Sequence, residues 1–451
     1  MRITRRTLLL GAGAGVVSVL LASCTPEPQP TPTPSPSPTG PEPTEGVPRP
    51  AAGLRSTWTT DQYAFGAVSF TPVGIGADTR SALARPVDDR VFFAGEATDE
   101  DAPGTMRGAV RSGQRAAGEV ASQAGAGERV AVIGAGLAGA TVAAMLSREG
   151  LDVTVLEARN RIGGRVESRT DGSWPVPVQL GAWLFGEEDA QLLESLGEAD
   201  VGVVDLAGEL WRTPDGDIDR VDEQPLRAAV AEAQTADEDS SVADALIAAG
   251  VDPEDPATAA LLALLATRTG VDADALSSWY APAVPAADPR AARDSLVPFI
   301  EQAFGGVTVG LNSPVTRIAH DDAGVSVRLG TGEALSFDRV VVTVPLGVLQ
   351  KRRIDFSPAL PFANRGAIAA LGMGAVETVW LRWDEPFWEA EEGVWHTEGG
   401  DALIRTWINL RPATGENVLV GIVGGSSAQE FADLDEDEAI EAALASLRAY
   451  V

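Results

Sequence analysis

Arg129-Val130-Ala131-Val132-Ile133-Gly134-Ala135-Gly136-Leu137-Ala138-Gly139 is the stretch on which the fold turns. Five mostly apolar residues read as a buried strand, and G-x-G-x-x-G follows at 134–139 without a gap. A helical run from Ala140 to Arg148 comes next, then a second strand, Val153-Thr154-Val155-Leu156, which ends at Glu157. Each part has a physical reason. Gly134 permits a tight turn, Gly136 lets backbone approach a pyrophosphate, and Gly139 allows the helix to lie close on the strand. The helix N-terminus faces the phosphates, and Glu157 is placed to accept from a ribose hydroxyl. Strand, glycine turn, helix, strand and acid together predict the dinucleotide-binding unit of a doubly wound α/β sheet. The acid disfavours a 2′-phosphate.

The rest of the composition narrows the chemistry. The chain has 451 residues, 45% apolar and 22% charged, which is a globular balance with room for about three domains. It holds one cysteine (Cys24), two histidines (His320, His396) and one lysine (Lys351). That excludes an intrachain disulfide and a cysteine-rich zinc site, and no metal is expected. Cys–His and Ser–His–Asp catalysis are disfavoured as well, and no G-x-S-x-G occurs. The chemistry is therefore expected from a bound cofactor. A formal charge of −31 repels phosphate, so nucleic acid is not an expected partner. The same charge attracts cations, although a solvated surface is the simpler explanation.

The first fifty residues are not expected to join the fold. Residues 1–23 read as an export signal: Arg2, Arg5 and Arg6, then an apolar run from Thr7 to Leu21 that is too short and glycine-rich for a membrane span. Thr4-Arg5-Arg6-Thr7-Leu8-Leu9 resembles a twin-arginine signal, and Leu21-Ala22-Ser23-Cys24 resembles a bacterial lipobox with Cys24 as the lipidated residue. Residues 24–50 then form a linker with eleven prolines, an extended spacer of roughly 80 Å at ~3.1 Å per residue. The expected location is the outer face of the cytoplasmic membrane, reached by the twin-arginine route and held by the lipid.

The residues after the second strand carry a resemblance. Glu157-Ala158-Arg159-Asn160-Arg161-Ile162-Gly163-Gly164-Arg165 resembles the E-A-R-x-R-x-G-G-R run of the flavin amine oxidase superfamily. Leu180-Gly181-Ala182-Trp183 is similar to its flavin-side loop, and Asn312-Ser313-Pro314-Val315-Thr316-Arg317-Ile318 to its adenine-side strand. Val341 to Leu349, Leu371 to Gly374 and Pro386-Phe387-Trp388 match later landmarks. The resemblance implies an α/β fold with a Rossmann-type FAD-binding domain and an α+β substrate domain. It implies noncovalent FAD and hydride transfer from the carbon beside an amine or amino-acid nitrogen to flavin N5. The acceptor would be dioxygen or another oxidant. Carried over position by position, cofactor binding falls to Gly134, Gly136, Leu137, Ala138, Gly139, Glu157, Ala158, Arg159, Gly164, Arg165, Gly181, Ala182, Trp183 and Val315.

The order of the pieces departs from that family. Trp58, Asp61, Gly66 and Ser69, then Arg90 to Thr98, then Gly104 to Gly113 match segments that normally end the family's chain. They add Gly95, Glu96, Thr105 and Met106 to the expected cofactor contacts. Here these segments precede the glycine motif, which implies a circular permutation. The expected organisation is 51–123 as a permuted FAD-binding segment, 124–186 as the Rossmann core and 187–304 as the helical part of the substrate domain. Residues 305–350 would supply FAD-binding strands, and 351–451 the substrate sheet and closing helix. Strands 91–94 and 129–133, linked by helix 105–121, are expected to be neighbours in one right-handed βαβ crossover. Strands 91–94 and 129–133 that are not neighbours would sink the permutation.

Other departures bear on activity. The family's catalytic lysine falls at Thr378, and Lys351, in a polar turn, cannot replace it. This implies slow oxygen use or another acceptor such as a quinone. The tyrosine cage of monoamine oxidases falls at Val68 and Thr105, and the flavin-linking cysteine at Ala67. Gln179 stands for an acid, Phe185 near a histidine, and a glycine pair is missing at Ala292-Arg293-Asp294. Val68, Thr105, Phe185 and Trp380 are expected to line the substrate cavity, with Val376, Thr378 and Trp380 on one flavin-facing side of a strand. Trp183, Trp279, Tyr280 and Trp407 are further wall candidates. His320 and His396 are expected to be exposed and structural. A dehydrogenase of another reduced organic substrate, or a silent flavoprotein, stays open at this level.

Overall fold

In the computed structural model, residues 46–451 are described; the expected signal 1–23, Cys24 and most of the 24–50 linker lie outside the described residues. A five-stranded parallel sheet runs in the order Thr308–Gly310, Asp152–Leu156, Arg129–Ile133, Arg339–Val342, Val91–Phe93. Its strands are continuous apolar runs because both faces are covered. Phe92, Val130 and Val132 face Ala116, Ala117, Val120, Ala140 and Val142 of helices Met106–Gln123 and Leu137–Arg148. Val91, Phe93, Ala131 and Ile133 face the other way, onto Ile318, Val325 and Val327 of a four-stranded sheet. The two helices cross closely: a Cβ on Gly113 would stand 2.7 Å from the Ala138 carbonyl oxygen.

Strands Val91–Phe93 and Arg129–Ile133 are not neighbours, contrary to expectation, because Arg339–Val342 lies between them and pairs with both. The crossover through helix Met106–Gln123 therefore skips a strand. The reason is visible in the sheet order. Numbered from Arg129–Ile133 as first, with Val91–Phe93 counted last, the sheet reads 3-2-1-4-5, the doubly wound order. In that order the first and fifth strands are two places apart.

A seven-stranded sheet forms the second layer, in the order Ala52–Arg55, Val376–Arg382, Val418–Gly424, Thr406–Asn409, Val394–Thr397, Glu209–Thr213, Gly216–Ile218. Trp395, Trp407, Leu381 and Leu419 point to one face, where Phe431, Ala443 and Leu444 of helices Gly425–Asp433 and Glu436–Ser446 cover them. Residues 52–55 thus sit in this sheet, away from the parallel one. The stretch 187–304 also supplies strands, Glu209–Thr213, Gly216–Ile218 and Arg290–Ala292, beside its helices Gln224–Ala233, Val242–Ala248 and Pro256–Thr269. Among the described residues no helix is long and apolar enough to cross a membrane.

Candidate active site

A cavity of about 1030 Å³ is lined by residues from both sheets, at the upper end of the size of cofactor pockets, about 300–1,000 Å³. Its dinucleotide end is built by the opening motif. Gly134 has φ +110°, and a Cβ there would stand 2.8 Å from Thr343 Oγ1, so the turn requires glycine. Gly136 caps helix Leu137–Arg148 with no side-chain hydrogen bond, leaving the first-turn N–H groups aimed outward. Leu137, Ala138, Ala158, Arg159, Gly164 and Val315 line the same end. Gly139 does not; a Cβ there would stand 2.0 Å from the Gly134 carbonyl oxygen, so it serves helix–strand contact alone. The buried Glu157 carboxylate accepts from the Ala135 and Arg159 N–H groups, at 2.7 and 2.8 Å. Two accepted N–H bonds fix the carboxylate at the strand end, where it also lines the cavity. Arg159 itself is held by two bonds to Asp61, at 2.6 and 2.7 Å, and lies over the rings of Trp58 and Tyr63.

The middle of the cavity is organised around Glu96. Its carboxylate accepts from Ser69 Oγ at 2.6 Å, Gly104 N–H at 2.7 Å and Arg165 at 2.8 Å. Burial opposes its ionisation, but Arg165, Ser69 and Arg80 outweigh burial and hold its pKa below the ordinary value. Gly95, Thr105, Met106, Arg165, Gly181, Ala182 and Trp183 line the cavity with it. Val68 and Phe185 line the wall as expected. Thr105 does too, while its hydroxyl caps helix Met106–Gln123 by accepting from Gly108 N–H at 2.9 Å.

The far wall is the seven-stranded sheet. Val376 and Thr378 face the cavity, and the buried Thr378 hydroxyl has no hydrogen-bond partner. Glu377 points the opposite way and accepts from the Trp58 and Thr59 N–H groups. Trp380 shares the face of Thr378 but does not line the cavity: Trp183 covers it, ring centres 5.2 Å apart, and its Nε1 donates to the Gln179 carbonyl at 3.0 Å. Trp407 is turned to the opposite face, Trp279 donates to the Ala233 carbonyl, and Tyr280 is partly exposed; none of the three lines the cavity.

Neither histidine is exposed. His320 is buried in strand Val315–Asp321, its Nδ1 3.7 Å from the Asp88 carboxylate. His396 is buried in strand Val394–Thr397 and lines the cavity, with Nε2 3.5 Å from Glu209 Oε1. Sequence reading missed this pair because the acidic stretch before it suggested a loop. The alternation of Val394 with His396, and of Glu209 with Trp211, was the available signal.

A run of glycines where Cβ atoms cannot fit, an uncapped helix start, a fixed acid at the second strand end and an unpartnered hydroxyl all suit a flavin dinucleotide. A flavin containing amine oxidoreductase model matches residues 38–121 and 248–451, and an NAD(P)-binding Rossmann-like model matches 132–196. The chain belongs to the flavin containing amine oxidoreductase family. Family membership makes FAD the group that this cavity holds. Among relatives, Polyamine oxidase 4 of Oryza sativa subsp. japonica is 29% identical over 347 residues, covering 69% of this chain and 70% of that protein. Probable polyamine oxidase 4 of Arabidopsis thaliana is 29% identical over 339 residues, covering 67% of each. Two solved structures share the fold. Putrescine oxidase bound to putrescine has a TM-score of 0.58 and 19% identity, over 72% of this chain and 81% of that one. Cyclohexylamine oxidase from Brevibacterium oxydans IH-35A has a TM-score of 0.59 and 21% identity, over the same shares.

Proposed function

We propose that the protein oxidises the C–N bond of an amine, with the reacting carbon held between the flavin and the Val376–Thr378 face. The observation that carries this reading is one cavity lined both by the dinucleotide cradle and by a largely apolar sheet face. When bound, FAD accepts a hydride at N5 from the carbon beside the nitrogen. The chain's own residues bind, orient and dry. The uncapped start of helix Leu137–Arg148 would hold the pyrophosphate and Glu157 the adenosine ribose. Glu96, kept ionised by Arg165 and Arg80, would take the ribityl chain. Trp183, Phe185, Val376, Ile408 and Ile422 exclude water from the reacting carbon. Ala67 lines the cavity without a nucleophile, which supports noncovalent FAD. Anaerobic addition of amines or amino acids to the holoprotein is expected to bleach the flavin. A flavin that dithionite bleaches but no amine or amino acid does would overturn the reading.

Thr378 favours a second element of this reading. With no ammonium at that position, we infer slow reoxidation by dioxygen and transfer to another acceptor such as a quinone.

We further infer a circular permutation. Its support is the rotated strand order and the family match at 38–121 ahead of the Rossmann-like match at 132–196, with the rest of that family match following at 248–451. The permutation does not pass the test set for it, since strands 91–93 and 129–133 are separated. The inference rests instead on the sheet order, because a permutation relinks strands without reordering the sheet and direct pairing was the wrong criterion.

Export by the twin-arginine route and anchoring through Cys24 rest on the sequence of residues 1–24 alone. Metabolic labelling with a radioactive fatty acid should mark the wild type, and Cys24→Ala should abolish the label. A labelled Cys24→Ala chain would remove the anchor.

A further inference from the structure

A second pocket, of about 390 Å³, shares Trp58 and Arg159 with the flavin cavity but has its own outer lining. Arg55 and Asp61 reach it from before the glycine motif, and Arg161, Glu167 and Arg169 from after it. Its charge runs against that of the chain. The whole sequence sets 65 acids against 34 bases, whereas four guanidinium groups and two carboxylates line this pocket.

Both carboxylates are already engaged. Asp61 takes the two terminal nitrogens of Arg159, at 2.6 and 2.7 Å. Glu167 is shared, one oxygen accepting from Arg161 and the other from Arg169 Nε at 2.9 Å. The terminal nitrogens of Arg169 have no partner among the described residues. Arg55 meets no carboxylate; it donates to the Phe431 and Leu434 carbonyls, at 2.9 and 2.5 Å. Carbonyls orient a guanidinium without neutralising it, so two positive charges stay unmatched. Arg159 and Arg161 both lie over the Trp58 ring, 5.9 and 6.0 Å from its centre. Burial lowers the Arg161 pKa, Glu167 opposes that shift, and the Arg159 charge adds to it. The acids elsewhere on the chain do not cancel this excess, because salt screens exposed charges beyond about 8 Å.

We propose that this pocket binds a small, doubly charged oxyanion, a dicarboxylate or a phosphate group, at a site separate from the FAD pyrophosphate cradle. Forked guanidinium groups match the paired oxygens of either anion, and two unmatched charges call for two negative ones. Arg169 supplies the open fork and Arg55 the second uncompensated charge. The volume lies within the range of small-molecule pockets, about 300–1,000 Å³.

The test is calorimetric titration of the FAD-loaded protein with phosphate, succinate and acetate at fixed ionic strength and about pH 8, where phosphate carries two charges. FAD then fills the competing pyrophosphate cradle. One phosphate or one succinate per chain is expected, bound at least about tenfold more tightly than acetate. The tighter of the two dianions names the oxyanion. Arg169 is half exposed, so Arg169→Gln should keep its flavin while weakening both dianions at least about tenfold. Arg169→Lys, which keeps the charge without the fork, should fall between. Glu167→Gln removes a competing carboxylate and should tighten both dianions, an effect that damage to the fold would not produce. The proposal is overturned if the wild type binds neither dianion, if acetate binds as tightly, or if Arg169→Gln leaves the affinity unchanged. Binding that appears only after FAD is stripped away assigns the anion to the pyrophosphate cradle and overturns it too.

Discussion

Thr378 is the residue on which the proposed oxygen reactivity turns. Its hydroxyl is buried, unpartnered and turned into the cavity, while the adjacent Glu377 faces away and is satisfied by backbone N–H groups. A lone buried hydroxyl costs about 1–3 kcal/mol, so the position is held for contact with something in the cavity rather than for stability. The flavin amine oxidase resemblance puts a lysine at this place, and dioxygen acquires negative charge as it takes electrons. A preorganised cation beside developing charge is worth about a hundredfold in rate. Thr378→Lys is therefore expected to raise the rate of flavin reoxidation by dioxygen by about tenfold to a hundredfold, measured by stopped-flow mixing of reduced holoprotein with air-saturated buffer. Retention of the oxidised flavin spectrum would show that the cavity tolerates the longer side chain. A variant that reoxidises no faster than wild type would detach oxygen reactivity from this position. The effect belongs to reoxidation alone, so anaerobic reduction by the same amine should change far less.

At the scale of the element, what was legible in the sequence follows how local the causes are. Residues 129–157 could be read almost residue by residue, because turn, helix start and terminal acid are consequences of neighbours in the chain. The alternation in Val376–Arg382 gave the correct face for Thr378, since a strand's period is fixed by its own backbone. It misplaced Trp380, because which part of that face is open depends on Trp183, from a distant loop, lying over it. Gly139 packs closely, as its place in the motif suggests, but does not line the cavity, because it faces the Gly134 carbonyl and the Thr343 hydroxyl. The Glu209–His396 pair was out of reach. Its strands are short, far apart in the chain and paired in parallel, and only the sheet brings the carboxylate to the imidazole. The direct pairing of 91–93 with 129–133 failed likewise, as no local signal says that Arg339–Val342 inserts between them.

For the whole molecule, the sheet order and the chain order disagree in one way only, and that disagreement can be removed by cutting and rejoining. Counted along the chain, the parallel sheet reads 4-3-2-5-1; moving the first strand to the end turns this into the doubly wound order. The junction that a permutation would have created is the segment between helix Met106–Gln123 and strand Arg129–Ile133, where Gly125, Ala126 and Gly127 are exposed. Residues 451 and 46 lie in contact, with Arg49 and Glu441 paired at 2.6 Å close by. Relinking is tolerated where the two points to be joined are close and the new break is exposed. Opening residues 46–451 between Ala126 and Gly127, and linking 451 to 46 through a few glycines, should therefore give a chain that folds, binds FAD and keeps its reduction by amines within about threefold. The break leaves Glu128 its bond to Arg339 at 2.7 Å, so the brace at the start of the inner strand Arg339–Val342 is retained. Flavin content and thermal melting of the relinked chain are the measurements. Complete loss of flavin binding would mean that the present connection through 124–128 holds the two halves of the FAD site together, and that the segment 51–123 is an adopted piece rather than a relocated one.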